Sequence, residues 1–319
     1  EWHAALPDWR AARARMAERY GYERYGGNCH IVPNHALIHL GLLYGGDDLQ
    51  RSLMITNTAG WDTDCNAGNV GCLLGIKNGL AGIDAGPDWR GPVADRLYLP
   101  TADGGRAISD AARESYAVAN IGRALAGEPP LAPKGGARFH FELPGSVQGF
   151  CPDDAPDARG TLSVEHVAGH SRRGSRSLAL RCRGLAPGRV ARVFTATFIP
   201  PAALAMPGYS LLAAPTLYPG QRLSAALAAD DANAVPLRCR LVLQRYGADD
   251  RLERVYGPET TLAAGAEQEL RWQVPDTGGH PIAAVGLEIV GDPHGAGTLY
   301  LDALGWDGAP DVRLCRPAD

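Results

Sequence analysis

The segment Gly60-Trp61-Asp62-Thr63-Asp64-Cys65-Asn66 gathers residue types that can do chemistry, and glycines follow it at Gly68, Gly71, Gly75 and Gly79. Two carboxylates separated by one residue, where a loop runs into a helix, can converge on one hard cation; magnesium, calcium and manganese take oxygen ligands of this kind. Asp62 and Asp64 are thus candidate metal ligands and the candidate catalytic pair, since one of them could also accept a proton from a metal-bound water. The bland alternative is that both carboxylates only cap a helix start, where negative charge is favourable. The glycines fall on one helical face, at a cost of about 1 kcal/mol each relative to alanine. That cost makes sense where another helix or a ligand comes close to the backbone. Trp61, Asn66 and Gly68 are the candidate substrate contacts. The Trp61 indole can stack on a sugar or adenine ring or pack in the core.

Other polar residues carry weaker signals. His35 and His39 share a helical face and His30 lies near them, but no His-Glu-x-x-His pattern joins them, so a structural or supporting role is expected. Asn34, Asn57 and Asn66 can orient the aspartates or cap helices. Cys29 and Cys72 read as buried small hydrophobes. Neither a Gly-x-Ser-x-Gly elbow nor a P-loop occurs.

The elements that must position these residues change character along the chain. Up to residue 126 the pattern is helical. Asp8 caps a helix carrying Trp9, Ala12, Met16 and Tyr20. Pro33 begins a second, with Leu37, Leu40 and Tyr44 on one face and Gly45-Gly46 at its end. Asp47-Asp48 opens a third with Leu49, Leu53 and Ile55. A fourth runs from Asn66 to Gly79, and Ser109 caps a fifth carrying Ala112, Tyr116 and Ala119. Residues 127–137 read as a linker, rich in proline and glycine. From 138 to 319 short strands alternate with turns: 139–143, 161–166, 177–182, 191–198, 222–228, 237–244, 269–274, 283–290 and 298–306. The fold class expected is α+β in separate domains, a helical part (1–126) followed by an antiparallel β-sandwich or jelly roll (138–319).

Composition narrows the function. The 319 residues carry 31 Lys+Arg and 35 Asp+Glu, for a net charge of −4. This near-balance argues against nucleic acid or an anionic membrane surface as the partner. No apolar stretch is long enough to span a bilayer; Phe198 to Pro215 is broken by Pro200, Pro201 and Pro207. The seven cysteines, Cys315 among them, form no Cys-x-x-Cys pair, which disfavours a zinc ribbon and a disulfide framework and favours a reducing, cytoplasmic setting. The chain begins with Glu1 and runs straight into helical sequence, as expected of a processed product, a trimmed chain or a fragment.

The run Gly27-Asn28-Cys29-His30-Ile31-Val32-Pro33-Asn34-His35-Ala36-Leu37, then Leu42-Leu43-Tyr44-Gly45, Asn57-Thr58-Ala59-Gly60-Trp61-Asp62-Thr63-Asp64 and Gly71-Cys72-Leu73-Leu74-Gly75 resembles the C-terminal part of the ADP-ribosylglycohydrolase family, of the dinitrogenase-reductase-activating type. The resemblance covers residues 10 to 126. It implies an all-α fold with a two-magnesium centre, Mg²⁺ or Mn²⁺, in a cleft, and hydrolysis of a glycosidic bond at the anomeric carbon of ribose. It maps the metal ligands onto Asp62 and Asp64, and the hydroxyl ligand that usually follows onto Cys65, where a thiol is a poor partner for a hard cation. The family's earlier Thr-Asp-Asp element has no counterpart here, and Asp47-Asp48 does not replace it. The expectation is therefore that about half of the catalytic domain is missing from this sequence.

In the later half, Gly174-Ser175-Arg176-Ser177-Leu178-Ala179-Leu180 and Gly297-Thr298-Leu299-Tyr300-Leu301-Asp302-Ala303-Leu304 look like the opening and closing strands of galactose-binding-like jelly rolls, a fold shared by many carbohydrate-binding modules. Tyr218, Tyr246, Tyr256 and Trp272 are the aromatics that could meet a sugar, or simply pack. Two functions are carried forward. One is a metal-dependent hydrolase acting on an ADP-ribosyl or other ribosyl, furanosyl or glycan substrate. The other is a non-catalytic carbohydrate-binding protein with a remnant helical domain.

Overall fold

Helices come first along the chain and strands second, as the change in periodicity predicts. The structure, a computed structural model, describes residues 1–25, 28–208, 210–247, 251–291 and 295–312. Gly27 and Cys315 of the sequence reading lie outside the described residues. The chain divides into two compact units, Glu1–Trp89 and Arg90–Asp319. Among the described residues, no helix is long and apolar enough to cross a membrane.

The first unit is built from helices α1 (Trp2–Ala5), α2 (Trp9–Tyr20), α3 (Ile31–Gly45), α4 (Leu49–Thr58) and α5 (Thr63–Ile83). Asp48 caps α4 by accepting from the Arg51 N–H at 3.0 Å. Ala12, Leu37, Leu40, Ile55 and Ala59 form one core cluster, and Leu49, Val70 and Leu74 a second. Helices α3 and α4 meet through small residues. A Cβ on Gly41 would lie 2.2 Å from Thr56 Oγ1, and one on Gly45 would lie 1.9 Å from Ser52 Oγ. Close approach is thus a property of the α3 glycines. Those of α5, where the sequence placed it, are not closely packed: Gly68 and Gly79 face open space, and Gly71 and Gly75 have ordinary contacts at 3.7 Å. Gly79 breaks the helical path with φ 64°. Helix α5 also begins before the expected Asn66, at Thr63, directly after the left-handed Asp62.

The second unit opens with a hairpin of β1 (Arg96–Tyr98) and β2 (Ile108–Asp110), then α6 (Ala111–Leu125). Asp110, not Ser109, caps α6, accepting from the Arg113 N–H at 2.9 Å; the Ser109 hydroxyl turns to Glu114 instead. This segment is tied to the β-rich unit by buried polar groups. Asp95 accepts from the Val147 N–H, Ala94 O from the Gly149 N–H, and Asp110 from the Gln148 amide.

The sandwich follows: β3 (Cys151–Pro152), β4 (Leu162–Ala168), β5 (Arg176–Leu185), β6 (Ala191–Ala196), a one-turn helix α7 (Pro201–Leu204), β7 (Arg222–Ala229), β8 (Leu237–Tyr246), β9 (Leu252–Tyr256), β10 (Thr260–Leu262), β11 (Glu267–Gln273), β12 (Ile282–Ile289) and β13 (Gly295–Asp307). One sheet has the order β10-β8-β12-β6-β3, with β9 also on β8; the other is β11-β7-β13-β5-β4. Among the described residues, the strands of both sheets pair antiparallel. In strand β7, Leu223, Ala225, Leu227 and Ala229 alternate inward while their neighbours face out, as a sheet with one face on a core requires. The two stretches likened to opening and closing jelly-roll strands lie side by side, with Leu299 opposite Leu180.

One expected strand is absent. Residues 139–143 make only an isolated bridge, Phe139 to Leu304, and Phe141 has φ 57°. The reason is a side chain standing in for a strand partner: Gln148 Oε1 accepts from the N–H groups of both His140 and Phe141. The linker is only partly a linker, because Pro133–Gly135 forms a turn whose lysine is buried.

Candidate functional site

The site is built on the turn between α4 and α5. Gly60, Trp61 and Asp62 are all left-handed, with φ of 79°, 56° and 59°. Glycine takes this conformation freely, whereas tryptophan and aspartate do so only when their surroundings hold them. Several contacts supply the hold. Asn66, buried, donates to the Trp61 carbonyl at 2.8 Å. The Trp61 ring stacks on Tyr22, with centroids 5.5 Å apart and planes 5° from parallel. The Arg13 guanidinium carbon lies 3.4 Å from the Trp61 ring centroid, and its Nε donates to the Ala59 carbonyl at 2.8 Å. Burial pulls the Arg13 pKa below its ordinary value, with Glu23 opposing.

This turn aims the acids. One ligand atom each from Asp62, Asp64 and Cys65 lies within 4.8 Å of the other two. Asp62 is half-buried, and Asp64 and Cys65 are exposed. The Asn34 amide donates to Asp62 Oδ2 at 2.8 Å, while its Oδ1 accepts from the Tyr22 hydroxyl at 2.5 Å. The chain Tyr22–Asn34–Asp62 therefore fixes one carboxylate from a different helix. The Cys65 thiol pKa is raised, first by its hydrogen bond to Asp62 and then by burial; that of Cys29 is raised by burial and by the same carboxylate.

Most of the residues read from sequence meet here, though not all in the expected roles. Trp61 is engaged by Tyr22 and Arg13, so its ring supports the turn. Asn66 pins the same turn rather than an aspartate, and Asn34 does the orienting. Asn57 is exposed near the end of α4, and Gly68 is exposed on α5 with nothing against it. His35 and His39 bring their Nε2 atoms to 3.1 Å from each other on an exposed face of α3. Cys29 and Cys72 are exposed, not buried. Cys29 sits in a left-handed loop position beside Asp62, and Cys72 shares the outward side of α5 with Leu73 and Ile76. Sequence reading missed Arg13 and Tyr22. Neither has a local signal, since both act across folds of the chain; only the aromatic density of Tyr20, Tyr22 and Tyr25 hints at one of them.

In the second unit, the candidate aromatics do not all share a surface, although the register puts Tyr246 and Tyr256 on one face of their sheet. Trp272 is on β11 of the five-stranded sheet and packs on the core. Tyr246 and Tyr256 are on β8 and β9 of the other sheet; the Arg240 guanidinium covers Tyr256 at 3.8 Å. Tyr218 is half-buried in the loop before β7.

Residues 1–122 match the ADP-ribosylglycohydrolase family. The whole Asp62 site falls inside this ADP-ribosylglycohydrolase-like stretch, and the family is generally metal-dependent. Among solved structures, the chain is similar to a xylan-binding domain from CBM22, at 18% identity and TM-score 0.37, covering 55% of this chain and 95% of that one. It is similar to the CBM22-1 xylan-binding domain of Paenibacillus barcinonensis Xyn10C, at 14% identity and TM-score 0.39, covering 55% and 94%. A structure of carbohydrate-binding modules from the β-sandwich superfamily shares 16% identity at TM-score 0.40, over 54% of this chain and 62% of that one. No curated protein sequence matches the chain.

Proposed function

We propose that Asp62, Asp64 and Cys65 hold a divalent cation and that the chain serves metal-dependent hydrolysis of a glycosidic bond, in an ADP-ribosyl or related ribosyl, furanosyl or glycan substrate. The observation that carries this reading is the convergence of the three side chains on a strained turn within the stretch that matches the ADP-ribosylglycohydrolase family. The donor set fits a divalent ion. Two carboxylates suit Mg²⁺ or Mn²⁺, and the thiol draws the preference toward the softer of the two. When bound, such an ion supplies Lewis acidity and lowers the pKa of a coordinated water.

The chain's own residues do the rest. Asn34 holds Asp62 Oδ2, so that the remaining oxygen of Asp62 is presented in a fixed direction. In this reading Asp64, which is exposed, accepts a proton from the attacking water. Tyr22, Arg13 and Asn66 keep the turn from relaxing. The use of a metal with carboxylate ligands sets this apart from the metal-free pair of flanking carboxyl groups in ordinary glycosidases.

The test is thermal melting of the full chain with Mn²⁺ or Mg²⁺, alongside release of ADP-ribose from an ADP-ribosylated protein. The cation should raise the melting temperature, and Asp62→Ala should abolish the rise. A melting temperature indifferent to both cations would sink the metal site. A cation response without turnover would keep the metal site and is what a catalytic domain without the family's earlier Thr-Asp-Asp element gives; xylan or another glycan shifting the melting temperature in its place would favour the non-catalytic, carbohydrate-binding reading.

A further inference from the structure

The Lys134 side chain is completely buried in the β-rich unit, and the Asp62 site makes no use of it. A buried ammonium is costly unless it is paired and hydrogen-bonded. Here Nζ lies 2.6 Å from the Arg176 carbonyl oxygen, 2.6 Å from the Asp302 carbonyl oxygen, 2.7 Å from Asp302 Oδ1 and 3.2 Å from Glu142 Oε1. An ammonium has three N–H bonds to give, and four oxygens surround it. Two carboxylates and two backbone carbonyls are the donors a hard cation of the calcium class takes.

The oxygens are held without the lysine's help. Glu142 accepts from the Ser175 N–H and hydroxyl and from the Arg176 N–H. Asp302 Oδ2 accepts from the N–H groups of Arg172 and Arg173. Gly174 closes over the cage: a Cβ there would lie 2.2 Å from Glu142 Oε1 and 2.9 Å from Lys134 Cε. The lysine, in contrast, enters from a turn in which Lys134, Gly135 and Gly136 have φ of 50°, 74° and 83°. A non-glycine residue is held in the left-handed region to deliver that ammonium. Charge points the same way. Two carboxylates face one ammonium, which leaves one negative charge over; a divalent ion would balance them.

We propose that Glu142, Asp302 and the carbonyls of Arg176 and Asp302 form a hard-cation cage whose resident cation is the Lys134 ammonium. The β-rich unit thus carries its cation within its own chain and needs no divalent ion at this place. Removing the ammonium turns the cage into a Ca²⁺ site, with the space left by the lysine stem open to the waters that complete the coordination.

The experiment uses the full chain carrying Asp62→Ala, so that the other carboxylate cluster takes no ion, with and without Lys134→Ala. After treatment with a chelator, both proteins are melted and titrated calorimetrically with Ca²⁺. The protein that keeps Lys134 should melt at one temperature with chelator or Ca²⁺ and bind none at the cage. The Lys134→Ala protein should bind one Ca²⁺ and gain stability with it, by about 100-fold in the folded-to-unfolded ratio at 100 times the Kd. Adding Glu142→Gln should weaken that binding at least about tenfold, as loss of a charged ligand does. A Lys134→Ala protein that folds only in Ca²⁺ is the same result in stronger form. One that folds and binds no Ca²⁺, or stays unfolded in saturating Ca²⁺, overturns the proposal. So does Ca²⁺ binding of equal strength whether or not Lys134 is present.

Discussion

Replacing Asn34 by alanine isolates how the Asp62 site is positioned. Asn34 is 6% exposed and comes from α3, 28 residues before Asp62. Its amide does two things: it accepts from the Tyr22 hydroxyl and donates to Asp62 Oδ2. A net neutral hydrogen bond is worth about 1 kcal/mol, and one to a charged group about 1.5–3 kcal/mol. Asp62 is half-exposed, so water recovers part of the second contribution. Asn34→Ala should therefore cost about 2 kcal/mol of stability in the first unit. The larger effect is on the cation: a carboxylate ligand that loses its orienting donor loses roughly 10–100-fold in metal affinity. Mn²⁺ titration followed by calorimetry, with urea unfolding followed by tryptophan fluorescence, measures both. Asn34→Asp should not restore affinity, because it sets a like charge against Asp62 even though it still accepts from Tyr22. An Asn34→Ala protein with Mn²⁺ affinity within about twofold of the parent, in a chain where Asp62→Ala abolishes binding, would refute the idea that Asn34 positions the ligand.

Two further outcomes follow from other parts of the molecule. Burial, and then the Lys134 charge, push the His140 pKa down to about 4; the buried ring accepts from the Glu142 N–H through Nδ1 and must be neutral to do so. The unfolded chain takes up that proton near pH ~6.5 and the folded one only near 4, so stability is full above ~6.5 and falls as the pH drops toward 4, by about 2–3 kcal/mol. Urea midpoints at pH 7 and 4.5 should show this loss, and His140→Asn should reduce it; equal losses in both proteins would count against His140 as the source. At the proposed cation site, Cys65→Thr replaces a soft donor with a hard one. It should strengthen Mg²⁺ binding several-fold relative to Zn²⁺ in paired titrations, and an unchanged ratio would remove Cys65 from the ligand set.

What could be read from the sequence alone was local. The two acids are separated by one residue at a helix start, so their closeness along the chain was visible before the fold; the left-handed turn at Asp62 decides that they face each other. The helices with a 3.6-residue apolar repeat and the strands with alternating burial were visible for the same reason: each pattern is written within one element. Even there, a local rule failed where a distant group competed for the backbone. Residues 139–143 alternate like a strand, yet Gln148 Oε1 takes the N–H groups of two successive residues, which in a strand would point to opposite edges.

Tertiary structure decided which small residues and which polar groups matter. The glycines of α5 looked like a packing face, but it is Gly41 and Gly45 that meet Thr56 and Ser52, because only the path of the chain determines which helix lies opposite. Cys29 and Cys72 carried the composition of a core and came out exposed. Asn34 reaches Asp62, Arg13 and Tyr22 hold Trp61, and Lys134 joins Glu142 and Asp302 across separations of up to 168 residues. Contacts over such separations leave no periodic trace in a sequence, since they depend on where whole elements are packed and on buried polar groups that must find partners once water is gone. The sequence by itself determined the order of helical and β-rich parts and the identity of the acidic pair. The tertiary structure alone decided what orients that pair and what occupies the oxygen cage of the sandwich.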